Sequence, residues 1–220
     1  MVKEPRLRVG ERALAWDVPP GWVALSSAAV GGGLVHPAWV LNLDVGGDFV
    51  RTDLDAYVAE VATGLGLSGT GCGLLTAADV TQVEHAEQGG VHAWSTVGVT
   101  RPTWALAPAR PPARPAAGTV NIVVSVPVPL SPSALVQAVG TVTEAKAQVL
   151  VQAGVPGTGT ASDAVVVLCP GAVDDEGVVP FAGVRSAWGQ RVARAVHATV
   201  AAGLAARPWP CADVDPGVVW

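Results

Sequence analysis

Apolar residues form short runs in the first half of this sequence and longer, alternating runs and helical stripes in the second half. Near-continuous apolar segments at 119–128 and 163–169 are typical of strands that are covered on both faces. Apolar side chains at helical spacing predict long helices over 131–153, which a Ser-Pro pair opens, and over 185–206. The other predicted elements are a helix that Asp53 caps and that ends at Gly64, and strands over 12–17, 22–25, 38–45, 71–76 and 91–99.

Turn and loop signals separate these elements. Small residues form a loop over 26–33, and residues 77–90 are predicted as a short helix or connection. The segment 102–118 contains five prolines, which exclude a helix or a central strand, so we expect an exposed loop there. Strands cluster before this loop and alternate with helices after it. The pattern therefore predicts an α/β fold, a single layered domain over 1–220 with a mixed β-sheet, flanking helices and a C-terminal tail at 207–220.

The composition of the 220 residues narrows the class of protein. Half of them are apolar and 14% are charged, which excludes intrinsic disorder for most of the chain. A net charge of −5 argues against a nucleic-acid-binding protein. The sequence has no apolar run of about 18 residues and no signal-like start, so we expect a cytoplasmic protein outside the membrane. Three scattered cysteines are expected to be idle thiols, namely Cys72, Cys169 and Cys211.

Lys146 is the most informative polar residue, because arginine carries the positive charge everywhere else except at Lys3. It projects into the apolar side of the 131–153 helix, while Glu144 lies on the opposite side. A buried ammonium needs a partner, and a dry site suits a lysine that exchanges protons. The alternative is a lysine whose stem packs while its head group reaches water. We favour a functional role.

Two asparagines lie in otherwise apolar strands. Asn121 is predicted to be buried, where its amide either holds a neighbouring loop or contacts a ligand, and Asn42 is similar. The loop 157–163 reads Gly-Thr-Gly-Thr-Ala-Ser-Asp before a buried strand, so its backbone amides are candidates to hold an anionic or carbonyl oxygen. No metal site is predicted, since no metal-ligand spacing joins the four histidines, His36, His85, His92 and His197.

Six short motifs occur together in an order and at a spacing that resemble one family, the adenosylcobinamide amidohydrolases of corrinoid salvage. The resemblance covers about 22–204, nearly the whole chain. Its motifs are Leu25-Ser26-Ser27 with Gly31-Gly32-Gly33, Leu41-Asn42-Leu43, Gly118-Thr119-Val120-Asn121-Ile122, Thr143-Glu144-Ala145-Lys146, Gly157-Thr158-Gly159-Thr160-Ala161-Ser162-Asp163-Ala164, and Phe181-Ala182-Gly183 before Gly189.

The resemblance implies hydrolysis of the amide that joins the aminopropanol arm to the corrin ring of adenosylcobinamide, which releases adenosylcobyric acid. A small corrinoid is then the expected partner, with no nucleic acid and no membrane. No cofactor is expected beyond the cobalt that the substrate itself carries. Two alternatives stay open: a corrinoid-binding module without hydrolase activity, and an amidase of the same fold that acts on another substrate.

Amide hydrolysis requires a nucleophile, donors for the developing oxyanion and an acid for the leaving amine. The catalytic candidates are Lys146 as base or acid, Asp163 as an orienting group, and the hydroxyls of Thr160 and Ser26. The nucleophile is such a hydroxyl or an activated water. The candidate substrate-binding residues are Ser27, Gly31, Gly32, Gly33, Asn42, Asn121, Glu144, Thr158 and Gly159.

A corrin ring is broad and flat, so its pocket should be wide and should have apolar walls. Three tryptophans are candidates for these walls, namely Trp22, Trp39 and Trp94, although a place in the core is the commoner role for each of them.

Overall fold

A computed structural model describes residues 3–106, 118–174 and 177–210 of the chain. Within these residues the helices are α1 (Leu54–Gly64), α2 (Pro132–Gln152) and α3 (Ala187–Ala206). The strands are β1 (Arg6–Val9), β2 (Ala13–Asp17), β3 (Trp22–Ser26), β4 (Gly33–Val35), β5 (Trp39–Asp44), β6 (Gly71–Thr76), β7 (Glu84–Gln88), β8 (Val91–Val97), β9 (Val120–Ser125) and β10 (Ala164–Pro170).

The strands form two sheets, where the sequence predicted one. One sheet has four strands in the order β1-β2-β5-β6, and the other has six in the order β4-β3-β10-β9-β8-β7. Both are mixed, because β5 and β6 run parallel and so do β9 and β10, while the other pairs are antiparallel. The α/β prediction is therefore confirmed, with two mixed sheets in place of a single one.

The fold has four layers. Helices α2 and α3 cover one face of the six-stranded sheet through a core that includes Ile122, Val142 and Val196. The other face of this sheet packs on the four-stranded sheet through a second core that includes Trp16 and Leu168. Helix α1 covers the outer face of the four-stranded sheet. Side chains alternate between these cores along each strand, since successive residues of a strand point to opposite faces.

The elements that the sequence analysis missed are short or solvent-exposed. Strands β1 and β7 lie at sheet edges and are largely exposed, so they lack the apolar alternation of a covered strand, and β4 has only three residues. In the proline-rich segment, residues 102–106 form neither helix nor strand. The predictions for 107–117 and for most of the C-terminal tail, 211–220, lie outside the described residues.

Three loops meet at one end of the six-stranded sheet. Strands β9 and β10 are parallel and adjacent, so the segments that lead into them, 118–119 and 157–163, lie side by side. Strand β3 is antiparallel to β10, so the loop that follows β3 reaches the same end. Chain segments that are far apart in sequence thus bring most of the predicted site residues to this edge. Within the described part of the chain, no helix is long and apolar enough to cross a bilayer.

Candidate active site

Lys146 lies on the side of α2 that faces the six-stranded sheet, where only 7% of the residue is exposed. The helix forms as the sequence predicts, because the Ser131 hydroxyl accepts a hydrogen bond from the Ala134 N–H and Pro132 occupies the first turn. The Lys146 ammonium forms an ion pair with the Asp163 carboxylate, and each side chain keeps 9% of its surface exposed. The lysine is therefore paired inside the protein and does not extend its head group freely into water.

Four donors converge on the Asp163 carboxylate. Its Oδ2 accepts from the Lys146 ammonium and from the backbone N–H of Thr160, the latter at 3.0 Å. Its Oδ1 accepts from the Thr160 hydroxyl and from the backbone N–H of Val120, the latter at 2.8 Å. These four hydrogen bonds fix the carboxylate in position. Asp163 therefore holds the head group of the lysine in place, and the Thr160 hydroxyl is engaged with the carboxylate.

Gly159 lies directly against the ion pair. A Cβ at this position would be 2.4 Å from Asp163 Oδ2 and 2.6 Å from Lys146 Nζ, closer than any side chain can approach. The loop here is fastened to the segment after β8, because the Thr103 N–H donates to the Gly159 carbonyl at 2.8 Å and the Thr158 N–H donates to the Thr103 carbonyl at 2.9 Å. Gly159 and Thr158 therefore shape the site through their backbones.

We expect Gly159→Ala to lower the rate of the amide hydrolysis that the sequence resemblance implies about tenfold, because the added methyl group displaces either the ammonium or the carboxylate by several tenths of an ångström. Gly140→Ala is the control, since Gly140 lies on α2, the helix that carries Lys146, and a Cβ there meets no atom within 4 Å. Steady-state rates and melting temperatures of both variants check the prediction. Full activity of Gly159→Ala would show that the ion pair is not held as described.

The sequence analysis did not name as site candidates two residues, Thr119 and Ser162, whose hydroxyls pair at this edge of the sheet. Thr119 Oγ1 and Ser162 Oγ lie 2.8 Å apart and join the entry to β9 to the residue before Asp163. Thr119 is buried, whereas Ser162 is exposed. The signal that could have found Ser162 is its position next to Asp163 in a motif that was already singled out.

Ser26 is the last residue of β3 and Ser27 follows it, and the hydroxyls of both accept hydrogen bonds from backbone N–H groups. Ser26 pairs in register with Val166, whose side chain packs between the two sheets, so Ser26 lies on the sheet face away from Lys146. Its hydroxyl accepts from the Ala28 N–H at 3.0 Å. Ser27 is exposed, and its hydroxyl accepts from the Val165 N–H at 3.0 Å. The structure therefore brings Ser27, but not Ser26, to the edge where Asp163 precedes β10.

Asn42 and Asn121 form a buried network that links the two sheets. Asn121 Nδ2 donates to Asn42 Oδ1 at 2.9 Å and to the Leu75 carbonyl at 3.0 Å, and Asn121 Oδ1 accepts from the Ala164 N–H at 3.2 Å. Asn42 Nδ2 donates to the Thr96 hydroxyl at 3.0 Å. Both amides are 2% exposed. Of the two roles that the sequence left open for Asn121, this geometry favours the structural one. The amide of Asn121 binds the backbone of Ala164, the residue that follows Asp163.

The triple-glycine loop borders a separate cleft of about 500 Å³, which lies between α1 and the start of β6. Its lining includes Gly31, His36, Trp39 and Asp55. A Cβ at Gly31 would lie 2.1 Å from the Gly71 carbonyl oxygen at a φ of +66°, so only glycine fits this close approach. The cleft is on the α1 side of the fold, whereas Lys146 is on the α2 side. Gly31 therefore lines this cleft, and Gly32 packs on the Ala28 carbonyl. Gly33 pairs with Ser26 at the end of the six-stranded sheet, two strands away from β10.

Glu144 is exposed on α2, away from Lys146, as its helical position predicted.

The tryptophans expected to form pocket walls are core residues: Trp22 and Trp94 pack between the sheets, and Trp39 packs under α1. The expectation of a corrin wall is thus wrong for Trp22 and Trp94. His85 and His92 stack on Trp94 at the sheet edge. The pKa of His85 is lowered, first by burial and second by the nearby His92.

Two cysteines are buried thiols. Burial raises the pKa of Cys72 to about 11 and that of Cys169 to about 11, so both are neutral at physiological pH. Neither is therefore a thiolate nucleophile. Cys211 lies outside the described residues.

The family model of the adenosylcobinamide amidohydrolases matches residues 2–211 of the chain. The chain belongs to this family. A curated relative from Methanosarcina mazei that is named adenosylcobinamide amidohydrolase is 29% identical over 187 residues, which cover 82% of this chain and 90% of the relative. Among solved structures, the PH0078 protein from Pyrococcus horikoshii OT3 aligns with a TM-score of 0.46 and 13% identity, over 88% of this chain and 77% of that one.

As an adenosylcobinamide amidohydrolase family member, the protein is an amide hydrolase. The family motifs around Lys146 and Asp163 are the ones that the structure joins in the ion pair, although 17 residues separate the two in the sequence. The motifs around Asn42 and Asn121 meet in the inter-sheet network. These motif residues thus form two groups, one at the ion pair and one in the inter-sheet network that contacts Ala164, the residue after Asp163.

Proposed function

We propose that this amidohydrolase cleaves the amide bond between the aminopropanol arm and the corrin ring of adenosylcobinamide and releases adenosylcobyric acid for cobalamin salvage. The observation that carries the proposal is the ion pair of Lys146 and Asp163, which lies almost buried at the sheet end where the family motifs converge. The family match over residues 2–211 supports the substrate, and the ion pair supports the type of reaction.

Amide hydrolysis adds water across the bond between the carbonyl carbon and the nitrogen. The Lys146 ammonium directs one N–H to Asp163, and its other N–H groups serve the substrate. In this mechanism they stabilise the negative charge that develops on the carbonyl oxygen, and one proton passes to the amine nitrogen as the C–N bond breaks. The lysine regains a proton from the attacking water, so that acid and amine leave as the two products.

Asp163 has a positioning role in this mechanism. Its two oxygens already accept four hydrogen bonds, so it fixes the ammonium and does not take the proton of the nucleophile. Of the two hydroxyls that the sequence offered as nucleophiles, Thr160 donates to Asp163 and Ser26 lies on the other face of the sheet. The mechanism therefore uses water as the attacking group. The remaining exposed surface of the Lys146 side chain, 9%, is where the substrate carbonyl reaches the ammonium.

Incubation of the purified protein with adenosylcobinamide tests the proposal. We expect mass spectrometry to detect adenosylcobyric acid and aminopropanol in equal amounts, with no product in a reaction that lacks protein. Binding of adenosylcobinamide without product would instead identify a corrinoid-binding module. If neither binding nor product is seen, the substrate is another amide and the proposed reaction is wrong.

A further inference from the structure

Trp104 is the exposed tryptophan of the described residues. It is 43% exposed, whereas Trp16, Trp22, Trp39 and Trp94 are each less than 9% exposed. An indole ring in water is unfavourable, and tryptophan is enriched at surfaces that bind a partner or ligand. Leu106, two residues further along the chain, is 96% exposed. Both apolar side chains therefore face solvent at the end of the described segment that follows β8.

Backbone hydrogen bonds join the chain segment that carries Trp104 to the loop beside the ion pair. Thr103, the residue before Trp104, is joined to the 157–163 loop by two backbone hydrogen bonds, of 2.8 Å to Gly159 and 2.9 Å from Thr158. Gly159 in turn touches both Lys146 and Asp163, as its missing Cβ shows. Consecutive Cα atoms such as those of Trp104 and Thr103 are about 3.8 Å apart, and paired Cα atoms such as those of Thr103 and Gly159 are about 5 Å apart. With the short distance from Gly159 to Lys146 Nζ, the Trp104 Cα lies within about 13 Å of the ammonium.

The attachment of this segment is also tight. Pro102, just before the bridge, is buried, and a Cβ at Gly157 would lie 2.9 Å from the Pro102 Cβ and 2.6 Å from the Thr103 nitrogen. The segment 102–104 therefore packs directly on the loop that carries Gly157 and Gly159. The backbone next to Trp104 is therefore fixed relative to the ion pair, as the backbone of a residue that selects a substrate must be.

We propose that Trp104 is a specificity-determining residue that packs its indole face on the flat corrin of the substrate while Lys146 acts on the amide of its arm. This inference rests on the proposed function. It assigns to Trp104 the apolar wall that the sequence analysis sought in Trp22, Trp39 and Trp94. The partner class follows from the chemistry: a broad, flat and largely apolar ring matches an exposed indole, and the cleavable arm extends from the edge of that ring.

Steady-state kinetics with adenosylcobinamide test the role of Trp104. For Trp104→Ala we expect the KM to rise about tenfold or more, with kcat within about threefold of the wild-type value, because stacking binds the ring and does not take part in bond cleavage. Trp104→Phe should recover most of the affinity. Phe49→Ala is the aromatic control, since Phe49 packs on Tyr57 of α1, in the outer layer on the far side of the fold. Melting temperatures establish that the variants are folded.

Direct binding separates this inference from the proposed function. In the background of Lys146→Met, equilibrium dialysis with adenosylcobinamide should show Trp104→Ala to weaken the Kd about tenfold without any turnover. An unchanged KM and Kd for Trp104→Ala, in a protein whose wild type cleaves adenosylcobinamide, would overturn the role of Trp104 alone. A wild type that does not cleave adenosylcobinamide would overturn the proposed function. A fall in kcat at constant KM would place Trp104 in the cleavage step and would also contradict ring recognition.

Discussion

Replacing Lys146 by methionine is expected to lower the turnover of adenosylcobinamide at least about 100-fold, because the proposed reaction loses its proton donor and the cation beside the carbonyl oxygen. Methionine has a similar length and no charge, so it fills the space that the lysine stem occupies in α2. Lys146→Arg is expected to be equally inactive. A guanidinium does not release its proton near neutral pH, and it does not fit beneath Gly159 as an ammonium does.

Lys3→Met is the matched control for this series, since Lys3 is the other lysine of the chain and is exposed. Kinetics and thermal unfolding of Lys146→Met, Asp163→Asn and the double variant separate catalysis from stability. Each single change leaves an unmatched partner, so the double variant should be more stable than the sum of the single effects predicts, while all three stay inactive. Substantial activity in Lys146→Arg would show that Lys146 contributes only its positive charge and does not transfer a proton. Unfolded Lys146→Met would make its role structural.

Replacing Asn121 by alanine is expected to give the largest loss of stability. It leaves the Asn42 Oδ1, the Leu75 carbonyl and the Ala164 N–H without their partners inside the protein. Each buried group that loses its hydrogen bond costs about 1–3 kcal/mol, so the free energy of unfolding should fall by about 3 kcal/mol or more. For a chain of this size, that corresponds to a fall of about 6–12 °C in melting temperature.

Two further variants grade this effect. Thr96→Val removes only the acceptor of the Asn42 amide and should cost about 1 kcal/mol, while Gln148→Ala on the exposed side of α2 should leave the melting temperature unchanged. Thermal unfolding of all three proteins is the measurement. If Asn121→Ala keeps the wild-type melting temperature and raises the KM instead, the amide contacts the substrate and its structural role is wrong.

The helical period predicted the place of Lys146, because a charge on the apolar side of a long helix is visible in the sequence alone. The identity of its neighbour needed the fold. Asp163 and Lys146 approach each other only because β10 lies beneath α2, and periodicity says which face of a helix is buried but not what covers it. The hydrogen bond from Thr160 to Asp163 was not predicted either, although the two residues are only three positions apart.

The division into two sheets could not be predicted for a related reason. Strands of both sheets carry the same apolar alternation, and the pattern contains no information on which strand pairs with which. Asn42 and Asn121 were recognised as buried amides, but their contact joins residues 79 positions apart, one in each sheet. Exposed edge strands such as β7 lack an apolar pattern altogether and were therefore missed.

The pairing of β3 with β10 has a consequence for the order in which the chain acquires its structure. Ser27 and Val165, which flank this pairing, are 138 residues apart, so the central strand of the larger sheet is added only after most of the chain has been synthesised. Contacts of such sequence separation form slowly, since the intervening chain must first be ordered. A nascent chain that stops before β10 lacks Asp163 and holds Lys146 without its counter-ion. Chains that stop before β10 therefore cannot form the ion pair, which requires residue 163.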